Sequence, residues 1–304
     1  MVRRTIALSF AGSGHLLCYQ LGAAQALLNR SEWASRISAY AGASGGAIAA
    51  TVCALLPDRV AEFAESVACK GYGFNGLSEA LHGKAPGFVI SDDDVRRVSE
   101  EQRLFLSVTH CRTGRNALLS RFASAAQLQR CVLASAAIPQ SFHPLDMTRS
   151  RPTYPEAGGV IVDPACEWDP SAAKAAYALP VGQLPFSPHG EAYVDGGISN
   201  SAPVLERPAA VHTVTVSPIS GPRGCLVAPT AASCGHYHLA PLDASPRVPF
   251  VAPALAGMRC FLSLDNLRAF QSSLSGRPAT LTRWYERGVA DAERFAAEHA
   301  PPET

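Results

Sequence analysis

The sequence predicts an α/β fold. Two segments carry that prediction, each running from a short apolar strand through a glycine turn into an apolar helix. A third observation agrees with it: a later strand-like run ends in an aspartate followed by two glycines, Tyr193-Val194-Asp195-Gly196-Gly197. The chain has 304 residues, 47% of them hydrophobic, which suits one large domain with a sizeable core and a less regular C-terminal part.

The first unit opens the chain. Residues 5–10 read as a strand, Ala11-Gly12-Ser13-Gly14-His15 as a turn, and residues 16–28 as a helix. Such a unit makes a nest of backbone N–H groups suited to an anion. Two anions fit, a dinucleotide phosphate and the oxyanion of an acyl-transfer intermediate. The dinucleotide fingerprint needs glycine at position 17, where Leu17 stands, and an acid ending a second strand about 20 residues on. Glu32 is the nearest acid, and Arg30-Ser31-Glu32-Trp33 does not read as a strand end.

The second unit holds the most informative motif. Residues 37–40 are apolar, Gly42-Ala43-Ser44-Gly45-Gly46 follows, and residues 47–56 are small and apolar enough for a buried helix. A Gly-x-Ser-x-Gly at a strand-to-helix turn is a nucleophile elbow, which presents the serine hydroxyl at a helix N-terminus. A free hydroxyl is a poor nucleophile, so the arrangement is useful only with a base beside it. The third segment offers Asp195, with Gly196 and Gly197 turning the chain away. A histidine base is the alternative, and His212, His236 and His238 lie downstream, none in a recognisable catalytic turn.

A glycine loop, a serine elbow and a strand-end Asp-Gly-Gly, in that order, resemble the patatin-like phospholipase family. The closer likeness is to its adipose triglyceride lipase and adiponutrin-type branch, through Ser9-Phe10-Ala11-Gly12-Ser13-Gly14 and Val214-Thr215-Val216-Ser217-Pro218. Further stretches fit the same order: residues 104–108 and 117–120 as a hairpin, and Ala134-Ser135-Ala136-Ala137-Ile138-Pro139 as a helix end. Asn266-Leu267-Arg268-Ala269-Phe270, Trp284-Tyr285, Gly288, Asp291 and Arg294-Phe295 are similar to its closing helices.

The resemblance implies a three-layer α/β/α fold with a central, mostly parallel sheet. It implies a Ser44–Asp195 dyad with no histidine, an oxyanion hole from Gly12, Ser13, Gly14 and Gly45, and elbow and turn glycines at Gly42, Gly46, Gly196 and Gly197. It implies lipid ester substrates and no cofactor or metal. Leu17 stands where the branch usually keeps a glycine and is expected to pack against the core. The rival reading, a non-catalytic lipid-binding or regulatory relative, has Leu17 as the feature in its favour.

Composition narrows the remaining choices. A net charge of +1 argues against an electrostatic nucleic-acid partner. Asp92-Asp93-Asp94 reads as a helix start. Nine cysteines without CxxC pairs fit reduced thiols in the cytoplasm better than disulfides or zinc. Arg3-Arg4 before an apolar run resembles a leader, yet cleavage there would remove the glycine loop. Membrane or lipid-droplet contact is therefore expected to be peripheral. The expected organisation is a catalytic domain over 1–221, with a Pro-rich insertion at 147–190 that is either a disordered loop or a cover. Residues 222–304 are expected as an irregular loop, 222–258, followed by helices packing on the same domain.

Overall fold

The computed structural model describes residues 6–70, 89–139, 159–163, 166–167, 190–205, 212–221, 237–242, 246, 248–252, 258–274 and 276–301. An α/β architecture is built on a mostly parallel central sheet. Its strands are β1 (Ile6–Phe10), β2 (Ile37–Ala43), β3 (Leu104–His110), β4 (Asn116–Leu119), β5 (Val160–Val162), β6 (Glu191–Asp195), β7 (His212–Val216) and β8 (Tyr237–Leu239). The order across the sheet is β5-β6-β3-β2-β1-β7-β8, with β4 paired to β3. The run β3-β2-β1-β7-β8 is parallel, whereas β4 and β6 meet β3 antiparallel and β5 meets β6 antiparallel.

β1 lies inside this sheet, between β2 and β7, and is buried on both faces. Alternation sends Ile6, Leu8 and Phe10 to one face and Ala7 to the other. The first face carries the large core under α1 (Leu17–Leu28), α2 (Gly45–Leu55), α3 (Val60–Lys70), α4 (Asp92–Glu100) and α5 (Ala125–Ala136). On the opposite face Ala7, Ala39, Ala41 and Phe105 form a smaller cluster with Leu205. Small side chains on that face let the returning 198–205 segment lie close to the sheet.

The helices begin where local chemistry requires. Ser91 caps α4 in a capping box with Asp94, so the acidic run is a helix start with an exposed face. Ser124 caps α5 by accepting the N–H of Gln127. Asp92 also accepts the N–H of Ala125 at 2.7 Å, joining the two helix starts.

C-terminal to the sheet come β9 (Val248–Ala252) and β10 (Met258–Leu262), a two-stranded antiparallel pair, then α6 (Leu264–Ser273) and α7 (Pro278–Glu298). The 222–258 stretch is therefore more ordered than the sequence suggests: it supplies β8, an edge strand of the main sheet, and β9. Three residues, Tyr237-His238-Leu239, are too short for a strand period to register. Most of the 147–190 insertion lies outside the described residues; its described part contributes β5. Among the described residues no helix is long and apolar enough to cross a membrane.

α1 is buried nearly all round, packed against α2, α3 and α7. Where the two helices cross, a Cβ on Gly288 would stand 2.0 Å from the Tyr19 carbonyl oxygen. The crossing is fastened by Tyr19, whose hydroxyl donates to Asp291 at 3.1 Å, and Arg294 holds the other oxygen of Asp291 at 2.8 Å. Replacing Gly288 by valine is expected to force the helices apart and cost about 1–3 kcal/mol. Urea unfolding of the variant measures it, and unchanged stability would show that the crossing is not tight.

Candidate active site

β3 has two edges and three partners. Ser107 and Leu106 pair with both β2 and β4, so β2 and β4 lie on opposite edges. Val108 and Thr109 pair with both β4 and β6, so β6 shares the edge of β2. Along that edge β2 ends with Ala43 opposite Ser107, and β6 ends with Asp195 opposite Val108. The two strands meet end to end on consecutive rungs, which brings Ser44 beside Asp195.

Ser44 is the N-cap of α2 and has φ 54° and ψ −125°. A non-glycine residue in this region is strained. The elbow glycines do a different job from the one the motif suggests, because neither Gly42 nor Gly46 has a positive φ. They allow close approach. A Cβ on Gly42 would lie 2.1 Å from the Gly46 carbonyl oxygen, and one on Gly46 would lie 2.2 Å from that of Phe10.

Asp195 is 5% exposed. Its Oδ1 accepts the N–H of Gly197 at 2.7 Å, and its carbonyl accepts the Thr109 hydroxyl at 2.7 Å. Gly196 is pressed onto β3, where a Cβ would stand 1.9 Å from the Ser107 carbonyl oxygen. Asn116 steadies the turn by donating to Ser107 at 2.8 Å and to Ser199 at 3.0 Å. Burial pushes the Asp195 carboxyl up to about 6, while the Ser44 hydroxyl and the Gly197 N–H pull it back down. Among the described residues Oδ2 nevertheless has no partner in good hydrogen-bonding geometry. Serine and carboxylate are adjacent without forming a well-aligned bond.

The glycine loop lies against the elbow. A Cβ on Gly12 would be 3.8 Å from that of Ser44, and one on Gly45 would be 2.4 Å from the Gly14 carbonyl oxygen. The N–H of Gly12 donates to the Ser201 carbonyl at 2.9 Å and is not free for an oxyanion. Among the described residues the N–H groups of Ser13, Gly14 and Gly45 donate to no protein group. Gly14 has φ 53°, and its α-carbon abuts the Ser273 carbonyl at the end of α6.

Gln20 holds the loop from behind. Its Nε2 donates to the carbonyls of Ala11 and Val216 at 2.6 and 3.2 Å, and its Oε1 accepts the Ser13 hydroxyl at 3.0 Å. Sequence reading passed over Gln20, although an amide on the first turns of a mostly apolar helix, directly after the glycine loop, is the signal that would have found it. Leu17 is the first residue of α1 and belongs to the main core, 3% exposed.

Of the histidines proposed as an alternative base, the two described ones lie elsewhere. His212 pairs with Ile6 at the far end of β1, and His238 sits on β8 opposite Thr215 with its ring nitrogens buried, which pushes its pKa down to about 4. His236 falls outside the described residues. A cavity of about 540 Å³ lined by Gln25, Asn29, Arg30, Tyr285, Val289 and Glu293 shares no residue with Ser44 and its neighbours.

The raised pKa has a consequence for stability. Asp195 binds its proton more tightly in the fold, at about 6, than at the ordinary 3.8. It therefore favours folding below pH 3.8, and this contribution is lost as the pH rises through 6. Above that the buried carboxylate costs up to about 3 kcal/mol. Asp195→Asn is expected to stabilise the protein by about 1–3 kcal/mol at pH 8 and by almost nothing at pH 4. Urea unfolding at the two pH values tests this, and equal effects at both would show that ionisation of Asp195 is not the cause.

No family model matches the chain. It is 28% identical over 229 residues to human patatin-like phospholipase domain-containing protein 4, covering 71% of this chain and 72% of that one. It is 27% identical over 255 residues to mouse 1-acylglycerol-3-phosphate O-acyltransferase Pnpla3, covering 78% of this chain and about half, 48%, of the mouse protein. Among solved structures, VipD from Legionella pneumophila superposes with a TM-score of 0.40 at 13% identity, over 97% of this chain and 67% of VipD. By sequence, over most of its length, the chain is a homologue of the patatin-like phospholipase domain proteins.

Proposed function

We propose that the protein is a serine acyl hydrolase that cleaves carboxylic esters of glycerides or phospholipids. The observation that carries this reading is the end-to-end meeting of β2 and β6 on β3, which sets Ser44 against a buried carboxylate beside three uncommitted N–H groups. The names of the two relatives, a phospholipase domain protein and a 1-acylglycerol-3-phosphate O-acyltransferase, support a lipid ester as substrate.

The steps follow from the residues. Ser44 Oγ attacks the ester carbonyl carbon and passes its proton to the Asp195 carboxylate. The carbonyl oxygen takes up the negative charge and accepts hydrogen bonds from N–H groups of Ser13, Gly14 and Gly45. One such donor typically contributes about 3 kcal/mol. The N-terminus of α2 adds its partial positive charge. As the tetrahedral species collapses, the bond to the alcohol breaks and Asp195 returns the proton to the leaving oxygen. Water then attacks the acyl-serine, gives its proton to Asp195, and the acid leaves as Ser44 recovers its hydrogen. If an alcohol enters in place of water, the same intermediate yields acyl transfer, the activity named for the mouse relative. Analysis of products with and without a lysophospholipid acceptor separates the two outcomes.

Peripheral contact with a lipid surface fits this reading. Leu264, Leu267 and Leu274 are each more than half exposed, on and just after the helix whose end abuts Gly14. The location that goes with it is cytoplasmic, at a membrane or lipid-droplet surface. Leu264→Ser/Leu267→Ser is expected to float less with phosphatidylcholine vesicles while turning over a soluble ester normally. Equal flotation would remove these leucines from the reading.

Ser44→Ala and Asp195→Asn are each expected to abolish ester turnover, and the double variant to be no worse than either single one. Fluorophosphonate should label the wild type and not Ser44→Ala. A wild-type protein inert to both fluorophosphonate and esters would favour the non-catalytic relative. Because Asp195 must be ionised to accept a proton, kcat/KM should rise with pH and level off above about 6. A pH profile flat from 5 to 8, taken in steps of about half a unit, would remove Asp195 as the base.

A further inference from the structure

The end of α5 reaches the main chains of both proposed dyad residues. The Ser135 hydroxyl accepts the N–H of Ser44 at 3.1 Å and donates to the Ser107 carbonyl at 2.7 Å. Just beyond the helix, the Ala137 carbonyl accepts the N–H of Asp195 at 2.9 Å. Ser107 is the β3 residue that pairs with Ala43, and its carbonyl also seats Gly196. One fully buried hydroxyl therefore ties the serine elbow to the strand on which the aspartate turn rests.

Ser44 needs such a tie. Its positive φ turns the chain sharply between β2 and α2, and its N–H lies outside the sheet ladder. A hydroxyl that accepts on one side and donates on the other fixes that N–H in direction as well as in energy. Without it, the Ser44 N–H and the Ser107 carbonyl both lose a buried partner and must shift to find new ones. Reacting atoms tolerate little shift: a displacement of about 1 Å can cost about a hundredfold in rate.

We infer that Ser135 is a positioning residue, which sets Ser44 relative to Asp195 through the main chain and so governs the rate of serine acylation without touching substrate. The inference rests on the dyad reading above. The competing account is that Ser135 only satisfies two buried polar groups. In that case its loss lowers stability and leaves the turnover of each folded molecule unchanged.

The test compares wild type, Ser44→Ala, Ser135→Ala and Ser135→Thr. The readouts are kcat and KM on p-nitrophenyl butyrate and the rate of fluorophosphonate labelling, each normalised to the folded fraction from circular dichroism. Full turnover in Ser44→Ala sinks the dyad reading itself, whatever Ser135 does. With Ser44→Ala inactive, Ser135→Ala is expected to lose about 10- to 100-fold in kcat and in labelling rate, with KM changed by less than about twofold. Ser135→Thr keeps the hydroxyl and is expected to recover most of the loss. A Ser135→Ala enzyme with kcat per folded molecule within about twofold of wild type overturns the inference. So does a folded Ser135→Thr as slow as the alanine variant. Should Ser135→Ala not fold, Ser135→Cys replaces it under the same criteria, because a thiol fills the volume but accepts hydrogen bonds weakly.

Discussion

A strand has two edges, and β3 has to serve three partners. The candidate site exists because that surplus is resolved by placing β2 and β6 one after the other on a single edge. Parallel β2 runs up to the junction and turns into a helix; antiparallel β6 runs down to it and turns away through two glycines. Each strand end leaves backbone groups that the sheet no longer satisfies. Side chains of Ser135, Thr109 and Asn116, with the Asp195 carboxylate accepting the N–H of Gly197, take up much of that demand. The polar residues around the site are thus as much a repair of an interrupted ladder as a chemical apparatus.

The same junction concentrates unfavourable terms. Ser44 sits at a positive φ, Asp195 is an almost fully buried carboxylate, and several N–H groups of the glycine loop and elbow have no partner among the described residues. Such features persist only where the surroundings over-determine them. Here the surroundings are the two-sided burial of β1, the amide clamp of Gln20 and the close crossing of α1 with α7. The crossing lies within the first two turns of α1, between Tyr19 and Ala23, close behind the glycine loop. The tight contact therefore holds the end of the helix that carries the loop.

Much of this was legible in the sequence, for identifiable reasons. The strand–turn–helix units at the start of the chain are apolar runs with glycine punctuation, and β1, α1, β2 and α2 fall within a few residues of where the pattern puts them. The elbow and the Asp-Gly-Gly turn were legible because their glycines answer to steric constraints that few other residues meet. What could not be read are roles created by assembly. Nothing local marks Ser135 off from other serines in an alanine-rich helix. Gly12 looks like an oxyanion donor until the returning Ser201 carbonyl occupies its N–H. β8 is stabilised by β7, a neighbour more than twenty residues away in sequence, so its three residues Tyr237-His238-Leu239 carry no period of their own.

The position of β1 also bears on how the chain reaches this state. β1 precedes the other described strands in the chain and is one of the most central, and its two partners come from very different distances. β2 follows almost at once, but β7 pairs Ile6 with His212 and Phe10 with Val216. Until that late segment arrives, β1 presents an open edge of apolar backbone, a template for pairing with other chains. Closing long loops before any contact rewards them slows folding and lengthens that exposure. The chain is therefore expected to depend on slow synthesis or on chaperones more than its size alone would suggest, and dilute, cold refolding should recover more of it than concentrated, warm refolding.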